Sequence, residues 1–300
     1  MLLRRGEELV EADVEGGYIF PWTPDVQLAR LRPGVMNVTG DAAESKARVD
    51  RCFGELEMKL EGRRALITGG GTGVGAGVAV AFAHEGCRVA ITGRREDKLR
   101  EVAAQWNGDP EILYHTSDVG DRESVTALFA WAAENLGPID ILVNSAGINI
   151  PRRGVAEISP EDWDRVLNVN ATGAFNCIHA ALPQMRDHRD GVIINIGSIA
   201  GKRAGSLGGV AYNASKFAMG ALGITVGIEE GDNNIRVTNI HPGEINTEIL
   251  DKRPVAVSDE HKAQILQPED FGEVCVLVAS LPPRANIPEL IIKPTSQPYS

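Results

Sequence analysis

A tyrosine and a lysine, Tyr212 and Lys216, stand four residues apart in the sequence YNASK. On a helix this spacing places both side chains on one face, one turn apart. A phenol has an ordinary pKa of about 10, and a neighbouring ammonium group lowers that pKa because it favours the phenolate. The pair can therefore take a proton from an alcohol or return one to a carbonyl oxygen.

Ser198 precedes the tyrosine by 14 residues, at the end of an apolar run that begins at Ile193. A short apolar run of this kind predicts a buried strand, which places the serine hydroxyl at a strand end. There the hydroxyl can donate a hydrogen bond to the same substrate oxygen that exchanges a proton with Tyr212. A Tyr–Lys spacing is common by itself, and the serine strengthens the case for a catalytic role.

A glycine-rich segment, TGGGTGVG, spans residues 68–75 between a predicted strand and a predicted helix. Glycine lets the backbone turn tightly and approach a pyrophosphate, and the helix N-terminus offers free N–H groups and a positive dipole end. The strict GxGxxG spacing is absent, and the match is TGxxxGxG. In this strand-turn-helix context we predict phosphate binding rather than a purely structural turn. The predicted contacts are Gly69, Thr72, Gly73, Val74 and Gly75.

The end of the second predicted strand carries Arg94 and Arg95, with no carboxylate before Glu96. An acidic residue there would bind the ribose 2′-hydroxyl of NAD, whereas the planar fork of an arginine suits a 2′-phosphate. We therefore predict NADP as the cofactor, bound by Arg94 with help from Arg95. The alternative is that both arginines merely begin a solvated helix. Asp118 and Val119 follow the third predicted strand, at a position suited to the adenine edge.

Repeated strand–helix units must position these residues, and the sequence shows such units from about residue 60 onward. Runs that are apolar throughout are typical of a parallel sheet covered on both faces. Right-handed crossovers then predict an α/β fold, a single doubly wound Rossmann domain with a mostly parallel seven-stranded sheet over residues 58–300. The strands are predicted at Arg64–Thr68, Arg88–Thr92, Ile112–Thr116, Ile139–Val143, Val192–Ile196, Arg236–Ile240 and Leu290–Ile292.

Two helical patterns bear on the site. Ser159 and Pro160 form an N-cap followed by proline at the first helical position, and they open a long helix that we predict to run toward Met185. The segment after Thr247 is short before the last predicted helix, Pro268–Ser280, which predicts a small lid over the substrate. Ligands of such sheets bind beyond the carboxyl ends of the strands, where the motifs lie.

Residues 1–57 differ in character from the rest of the chain, because they mix charges, Gly and Pro without a repeat or a strong period. Met58 stands just before the first convincing strand. One hypothesis is that Met58 is the true start and that this irregular N-terminal extension comes from an upstream reading frame. The alternative is a real lid or an interface arm.

Composition excludes several classes of function. The formal net charge of -11 argues against a nucleic-acid surface, which needs clustered Lys and Arg. The sequence lacks the run of about 18 apolar residues that spans a bilayer, and acidic residues directly after Arg5 argue against a signal peptide. We expect a cytoplasmic protein with reduced thiols and no metal site, since the histidines are scattered and the cysteines lie far apart, at Cys52, Cys87, Cys177 and Cys275.

Together these motifs resemble the classical short-chain dehydrogenase/reductase family, over about residues 60–295. The sequence NSAG at residues 144–147 corresponds to the family's NNAG, with Ser in place of the second Asn. Asn170 matches the catalytic asparagine, and residues 242–247 match the PGxxxT segment. By this resemblance, further cofactor contacts are Asn144, Ala146, Gly147, Pro242, Gly243, Ile245 and Thr247.

The resemblance implies a role for each of four catalytic residues. Tyr212 is the general acid and base, and Ser198 orients and polarises the carbonyl group. Lys216 lowers the tyrosine pKa and binds the nicotinamide ribose, so that Tyr212 and Lys216 also contact the cofactor. Asn170 holds a water that links the lysine to solvent. The cofactor carries the hydride.

The substrate is less clearly indicated. The tail at residues 282–294 and the pair Gly208 and Gly209 resemble NADP-dependent 3-hydroxy acid dehydrogenases. A short 3-hydroxy acid is therefore the leading small-molecule substrate. A 3-oxoacyl-thioester reductase and a non-catalytic NADP-binding regulator are the alternatives. Six basic residues near the expected pocket mouth can each bind a carboxylate or be solvated: Arg152, Arg153, Lys202, Arg203, Lys252 and Arg253.

Assembly is also implied by the family, whose members usually form dimers or tetramers. We predict a homodimer or homotetramer that associates through the helices containing Phe175 and Phe217. The same apolar stripes can instead cover the sheet within one chain.

Replacing Tyr212 by Phe tests the proposed acid–base role. The variant is expected to bind NADPH normally but to reduce no carbonyl compound, because the ring remains and only the hydroxyl is lost. Binding is measured by fluorescence titration and turnover by the absorbance of NADPH. Near-normal turnover in Tyr212→Phe would refute the assignment.

Overall fold

The computed structural model describes residues 2–5, 8–11, 58–253 and 257–298. The chain separates into two units, Met1–Glu57 and Met58–Ser300. In the first unit the described residues form an antiparallel pair of strands, β1 (Leu2–Arg5) and β2 (Glu8–Glu11). Cys52 and most of the predicted extension lie outside the described residues, so the status of residues 1–57 stays a prediction.

A seven-stranded sheet forms the centre of the second unit. All its strand pairs are parallel, in the order β5-β4-β3-β6-β7-β8-β9, which confirms the doubly wound fold. The strand order reverses between β3 and β6, where a ligand-binding crevice is expected. The strands are β3 (Arg64–Thr68), β4 (Arg88–Gly93), β5 (Leu113–Thr116), β6 (Ile141–Asn144), β7 (Gly191–Ile196), β8 (Ile235–Pro242) and β9 (Glu289–Ile292).

Helices cover both faces of this sheet. None of the helices within the described ranges is long and apolar enough to cross a membrane. The helices are α1 (Gly73–His84), α2 (Glu96–Ala103), α3 (Arg122–Asn135), α4 (Pro160–Leu167), α5 (Gly173–His188), α6 (Val210–Glu229), α7 (Asp259–Gln264) and α8 (Pro268–Ser280).

Two helical features differ from the sequence expectation. The long helix from Pro160 is divided by a π-helical segment, Asn168–Thr172, which periodicity does not reveal. Helix α7 stands where only a short lid is expected, and Ser258 caps it by accepting a hydrogen bond from the backbone N–H of His261. A serine followed by two acidic residues is an N-terminal helix signal that was available in the sequence.

The core lies on both faces of the sheet because successive residues of a strand point to opposite sides. Leu66 packs in one apolar cluster, and its neighbour Ile67 packs in the other. Both side chains are fully buried, and each such burial contributes roughly 1.5–3 kcal/mol. Cys87 and Cys177 are buried free thiols within these clusters, and burial raises the pKa of both to about 12.

An amide ladder crosses three neighbouring strands near their carboxyl ends. The register aligns Asn144, Asn195 and Asn239 side by side. Asn144 Nδ2 donates to Asn195 Oδ1, and Asn195 Nδ2 donates to Asn239 Oδ1, each at 3.0 Å. Asn239 Nδ2 then donates to the carbonyl oxygen of Gly220 in α6 at 3.2 Å. The ladder therefore attaches α6 to the sheet through buried hydrogen bonds.

Helices α1 and α8 approach each other so closely that glycine is required at the contact. A Cβ atom on Gly77 of α1 would overlap the carbonyl oxygen of Pro268. A Cβ atom on Gly272 of α8 would lie 2.6 Å from that of Ala81. Since α1 begins at the glycine turn, this contact also supports the position of the predicted phosphate site.

Gly77→Ala is expected to lower the free energy of unfolding by roughly 1–3 kcal/mol, because the added methyl group separates α1 from α8. Helix propensity acts in the opposite direction, by about 1 kcal/mol in favour of Ala. The measurement is urea unfolding followed by circular dichroism. Gly231→Ala is the matched control, since a Cβ atom there meets nothing within 4 Å. Equal stability of the two variants would contradict the close contact.

Candidate active site

A cleft of about 830 Å³ opens at the carboxyl ends of the strands, beside the point where strand order reverses. Most predicted site residues line it, although they come from distant parts of the sequence. Those that line it are Gly69, Thr72, Gly73, Val74, Arg94, Arg95, Asp118, Val119, Ala146, Gly147, Ser198, Tyr212, Lys216, Pro242, Gly243, Ile245 and Thr247. Gly75, Asn144 and Asn170 do not line the cleft.

The glycine turn packs against the NSAG loop. Gly69 has a φ of +65°, and a Cβ atom there would lie 2.8 Å from the backbone of Ala146. Thr68 Oγ1 accepts hydrogen bonds from the backbone N–H groups of Ser145 and Ala146, both at 3.2 Å. A Cβ atom on Gly75 would overlap the carbonyl oxygen of Gly69. Gly75 therefore allows the start of α1 to pack against Gly69. The residues before Gly75, and not Gly75 itself, line the cleft.

The start of α1 is suited to an anionic group. Its first turn contains no acidic residue, and the N-cap residue Thr72 makes no capping hydrogen bond with its side chain. The free N–H groups and the helix dipole are therefore directed at the cleft without a carboxylate to compete. Together with the glycine cradle, this arrangement fits the pyrophosphate of a dinucleotide.

The two arginines after β4 have different environments. Arg94 is exposed at the cleft, and within the described part of the chain it has no hydrogen-bond or ion-pair partner. Arg95 is bound by Glu248, at 2.7 Å between Nη2 and Oε2 and 3.3 Å between Nη1 and Oε1. Glu248 carries no sequence signal for this contact, because 153 residues separate the partners. Arg94 is thus the available cation, while Arg95 is already paired.

Helix α6 presents Tyr212 and Lys216 one turn apart, as the spacing predicts. Lys216 Nζ lies 5.7 Å from the centre of the Tyr212 ring and donates to the carbonyl oxygen of Ile196 at 2.8 Å. Burial lowers the pKa of Lys216 to about 8. Ser198 begins a 3₁₀ turn, and its Oγ accepts a hydrogen bond from the backbone N–H of Ala200 at 3.1 Å.

The protonation of Tyr212 depends on burial and on two neighbours. Burial raises the pKa of the phenol above its ordinary value, while a hydrogen bond with Ser198 and the positive charge of Arg153 lower it. Arg153 is therefore a cation near the phenol that the Tyr–Lys spacing does not reveal.

Asn170 lies behind the cleft wall, in the π-helical segment. Its Oδ1 accepts from the backbone N–H of Ile148 at 2.7 Å, and its Nδ2 donates to the Ile148 carbonyl oxygen and to Ser215 Oγ, each at 3.0 Å. A Cβ atom on Gly147 would lie 3.5 Å from Lys216 Nζ and 3.6 Å from Asn170 Oδ1. Asn170 therefore joins the NSAG loop to α6 and lies close to the lysine, while Asn144 belongs to the amide ladder.

His241 is a site residue that sequence reasoning missed. It is fully buried on β8, and its Nδ1 lies 3.1 Å from the carbonyl oxygen of Ser198. Because a carbonyl oxygen only accepts, Nδ1 must carry the proton and donate it. Burial lowers the pKa of His241. His241 thus supports the backbone at Ser198, and only the fold shows this contact.

The six basic residues expected near the pocket mouth have different environments. Arg152 is exposed and does not line the cleft. Lys202 forms an ion pair with Glu289, and Arg253 forms one with Glu244. Arg203 and Lys252 line the cleft from exposed positions, whereas Arg153 lines it from a buried one.

Known proteins resemble this chain in sequence and in fold. A relative from Staphylococcus saprophyticus, named an uncharacterized oxidoreductase, is 34% identical over 241 residues, covering 79% of this chain and 99% of that protein. Serine dehydrogenase in complex with NADP⁺ has a TM-score of 0.71 and 30% identity, covering 79% and 97% of the two chains. The 3-ketoacyl-(acyl-carrier-protein) reductase from Brucella melitensis in complex with NADH has a TM-score of 0.71 and 29% identity, covering 78% and 98%.

The family profile described as short chain dehydrogenase matches residues 63–256. This range begins just before the strand that precedes the glycine turn and includes all four predicted catalytic positions. The resemblance drawn from the motifs is thereby confirmed. This chain belongs to the short chain dehydrogenase family and is an oxidoreductase of that family.

Proposed function

We propose that this chain interconverts a secondary alcohol and a ketone with NADP(H), and that a short 3-hydroxy acid is its leading substrate. One observation carries this proposal: a single cleft is lined by Ser198, Tyr212 and Lys216 and also by the unpaired Arg94. The first group suits proton exchange with an oxygen atom, and the arginine suits a 2′-phosphate.

The chain's own residues handle the proton and the substrate oxygen. When bound, the nicotinamide supplies the hydride for reduction or accepts it in oxidation. Tyr212 gives its phenolic proton to the carbonyl oxygen during reduction and takes it back during oxidation. Ser198 donates a hydrogen bond to the same oxygen. Lys216, oriented by the Ile196 carbonyl oxygen, faces the site with a positive charge that favours the phenolate.

Support for NADP comes from the chain itself more than from its relatives. The serine dehydrogenase structure contains NADP⁺, whereas the 3-ketoacyl reductase structure contains NADH. In this chain Arg94 directly follows β4, and Glu96 begins helix α2. An arginine without a competing carboxylate partner favours the phosphorylated ribose.

A second candidate is reduction of a 3-oxoacyl thioester. The likeness to the 3-ketoacyl reductase favours it, at 29% identity. The likeness to serine dehydrogenase, at 30% identity, favours a small hydroxy acid to the same degree. A panel of 3-oxo acids, neutral ketones and 3-oxoacyl thioesters, assayed by NADPH loss, separates the two reactions. Turnover of thioesters alone would favour the second candidate.

Arg94→Ala is expected to raise the KM for NADPH by roughly 10- to 100-fold, since a hydrogen bond to a charged group contributes about 1.5–3 kcal/mol. The KM for NADH should not change, because NADH lacks the 2′-phosphate. The assay uses the best substrate of the panel with each cofactor. Arg100→Ala is the control, since Arg100 is an exposed residue of α2 outside the cleft. An equal effect of Arg94→Ala on both cofactors would contradict phosphate recognition.

The pH dependence should differ between the two directions. Oxidation needs the phenolate of Tyr212 and reduction needs the phenol, and burial raises the pKa of Tyr212. From roughly pH 6 to pH 10, kcat/KM for oxidation should therefore rise. Reduction should fall above about pH 8, because a neutral Lys216 no longer stabilises the phenolate that forms as Tyr212 gives up its proton.

Rates in both directions are measured from the absorbance of NADPH. Lys216→Arg keeps a positive charge at high pH, so any reduction it retains should fall at a higher pH than in the wild type. Oxidation that is independent of pH over this range would argue against proton transfer by Tyr212.

A further inference from the structure

Arg153 is buried at the substrate end of the cleft, where it joins three loops. Its side chain is enclosed, with the residue 6% exposed. Nε donates to the carbonyl oxygen of Ile150 at 2.9 Å, and Nη1 donates to that of Leu207 at 2.8 Å. Nη2 donates to the carbonyl oxygen of Lys252. These contacts orient the guanidinium group firmly.

Within the described part of the chain, the charge of Arg153 has no counter-ion. Among the residues that the structure describes, no carboxylate forms an ion pair with it, and its charged neighbour is another cation, Arg253. A buried charge is costly unless an opposite charge is close, and carbonyl oxygens carry no net charge. A guanidinium group has five N–H donors, so the three carbonyl contacts leave two unused. Because Arg153 lines the cleft, a ligand can reach it.

The other basic residues of this region do not share these properties. Arg253 and Lys202 already pair with Glu244 and Glu289. Arg152 and Lys252 are exposed, so water screens their charges. Arg153 is therefore the least solvated cation of this group, and water screens its charge least.

Arg153 also lies next to the catalytic helix. Its carbonyl oxygen accepts a hydrogen bond from the backbone N–H of Val210, the first residue of α6, at 3.1 Å. A Cβ atom on Gly209, whose φ is +79°, would overlap the Arg153 side chain. Tyr212 follows within the first turn of α6, and the charge of Arg153 acts on its phenol. An anion bound to Arg153 is thus held beside the group that exchanges the proton.

We propose that Arg153 anchors the carboxylate of the substrate and so selects short hydroxy acids and their oxo acids. The carboxylate accepts hydrogen bonds from the two remaining N–H groups of Arg153 and neutralises its buried charge. This inference rests on the proposed oxidoreductase function. A neutral thioester or simple ketone would leave the cation uncompensated, so the arrangement favours the acid over both.

The test compares 3-hydroxybutanoate with its methyl ester, which lacks the negative charge and carries one additional methyl group. Wild-type protein with NADP⁺ is expected to prefer the acid by at least roughly 10-fold in kcat/KM. Arg153→Gln is expected to raise the KM for the acid by roughly 10- to 100-fold and to leave that for the ester nearly unchanged. The amide of Gln retains donors for the loop carbonyls. Arg152→Gln, at the exposed neighbouring position, should change neither substrate.

The other possible outcomes distinguish failure of the carboxylate anchor from failure of the proposed function. Equal losses on acid and ester in Arg153→Gln would show that Arg153 only holds the loops together, and would overturn the anchor. If that variant does not fold, the wild-type ratio decides, and equal use of acid and ester overturns the anchor. If the protein turns over neutral ketones with NADPH but turns over no acid, the carboxylate anchor is overturned and the proposed oxidoreductase function stands. Absence of turnover with every ketone and acid would overturn both.

Discussion

The amide ladder through Asn144, Asn195 and Asn239 holds helix α6 on the sheet. Buried amides must find hydrogen-bond partners, and the last of these donates to the carbonyl oxygen of Gly220 within α6. A Cβ atom on Gly223 would overlap the ladder, so α6 contacts it directly. Three side chains that do not line the cleft therefore help to fix the position of α6 on the sheet.

Burial shifts the pKa values of two cleft residues, Tyr212 and Lys216, in opposite directions. It raises the pKa of the Tyr212 phenol and lowers that of the Lys216 ammonium, since a low dielectric penalises either charged form. The positive charge of Arg153 lowers the pKa of Tyr212 and so opposes the effect of burial. An anion bound to Arg153 would weaken this lowering, so the charge of the ligand and the protonation of Tyr212 would be coupled through the guanidinium group.

Much of the fold could be predicted because the central strands of its sheet are buried on both faces. The strand at Arg64–Thr68 has the predicted bounds, and the order of strands and helices follows the apolar runs. The π-helical turn at Asn168–Thr172 and the lid helix Asp259–Gln264 were not predicted. The first has no periodic pattern of its own. The second is short and has no buried residue, so only its Ser258 cap marks it.

The sequence by itself determined the chemistry that lies within single elements, such as Tyr212 and Lys216 on one helix face and the glycine turn before α1. Local periodicity encodes these distances, because a helix or a turn has the same geometry in any fold. Only the tertiary structure decided that Arg153 also lies near Tyr212 and which arginine after β4 is available. Such contacts join residues far apart in the chain, and strand register and loop packing, which depend on the whole core, bring them together.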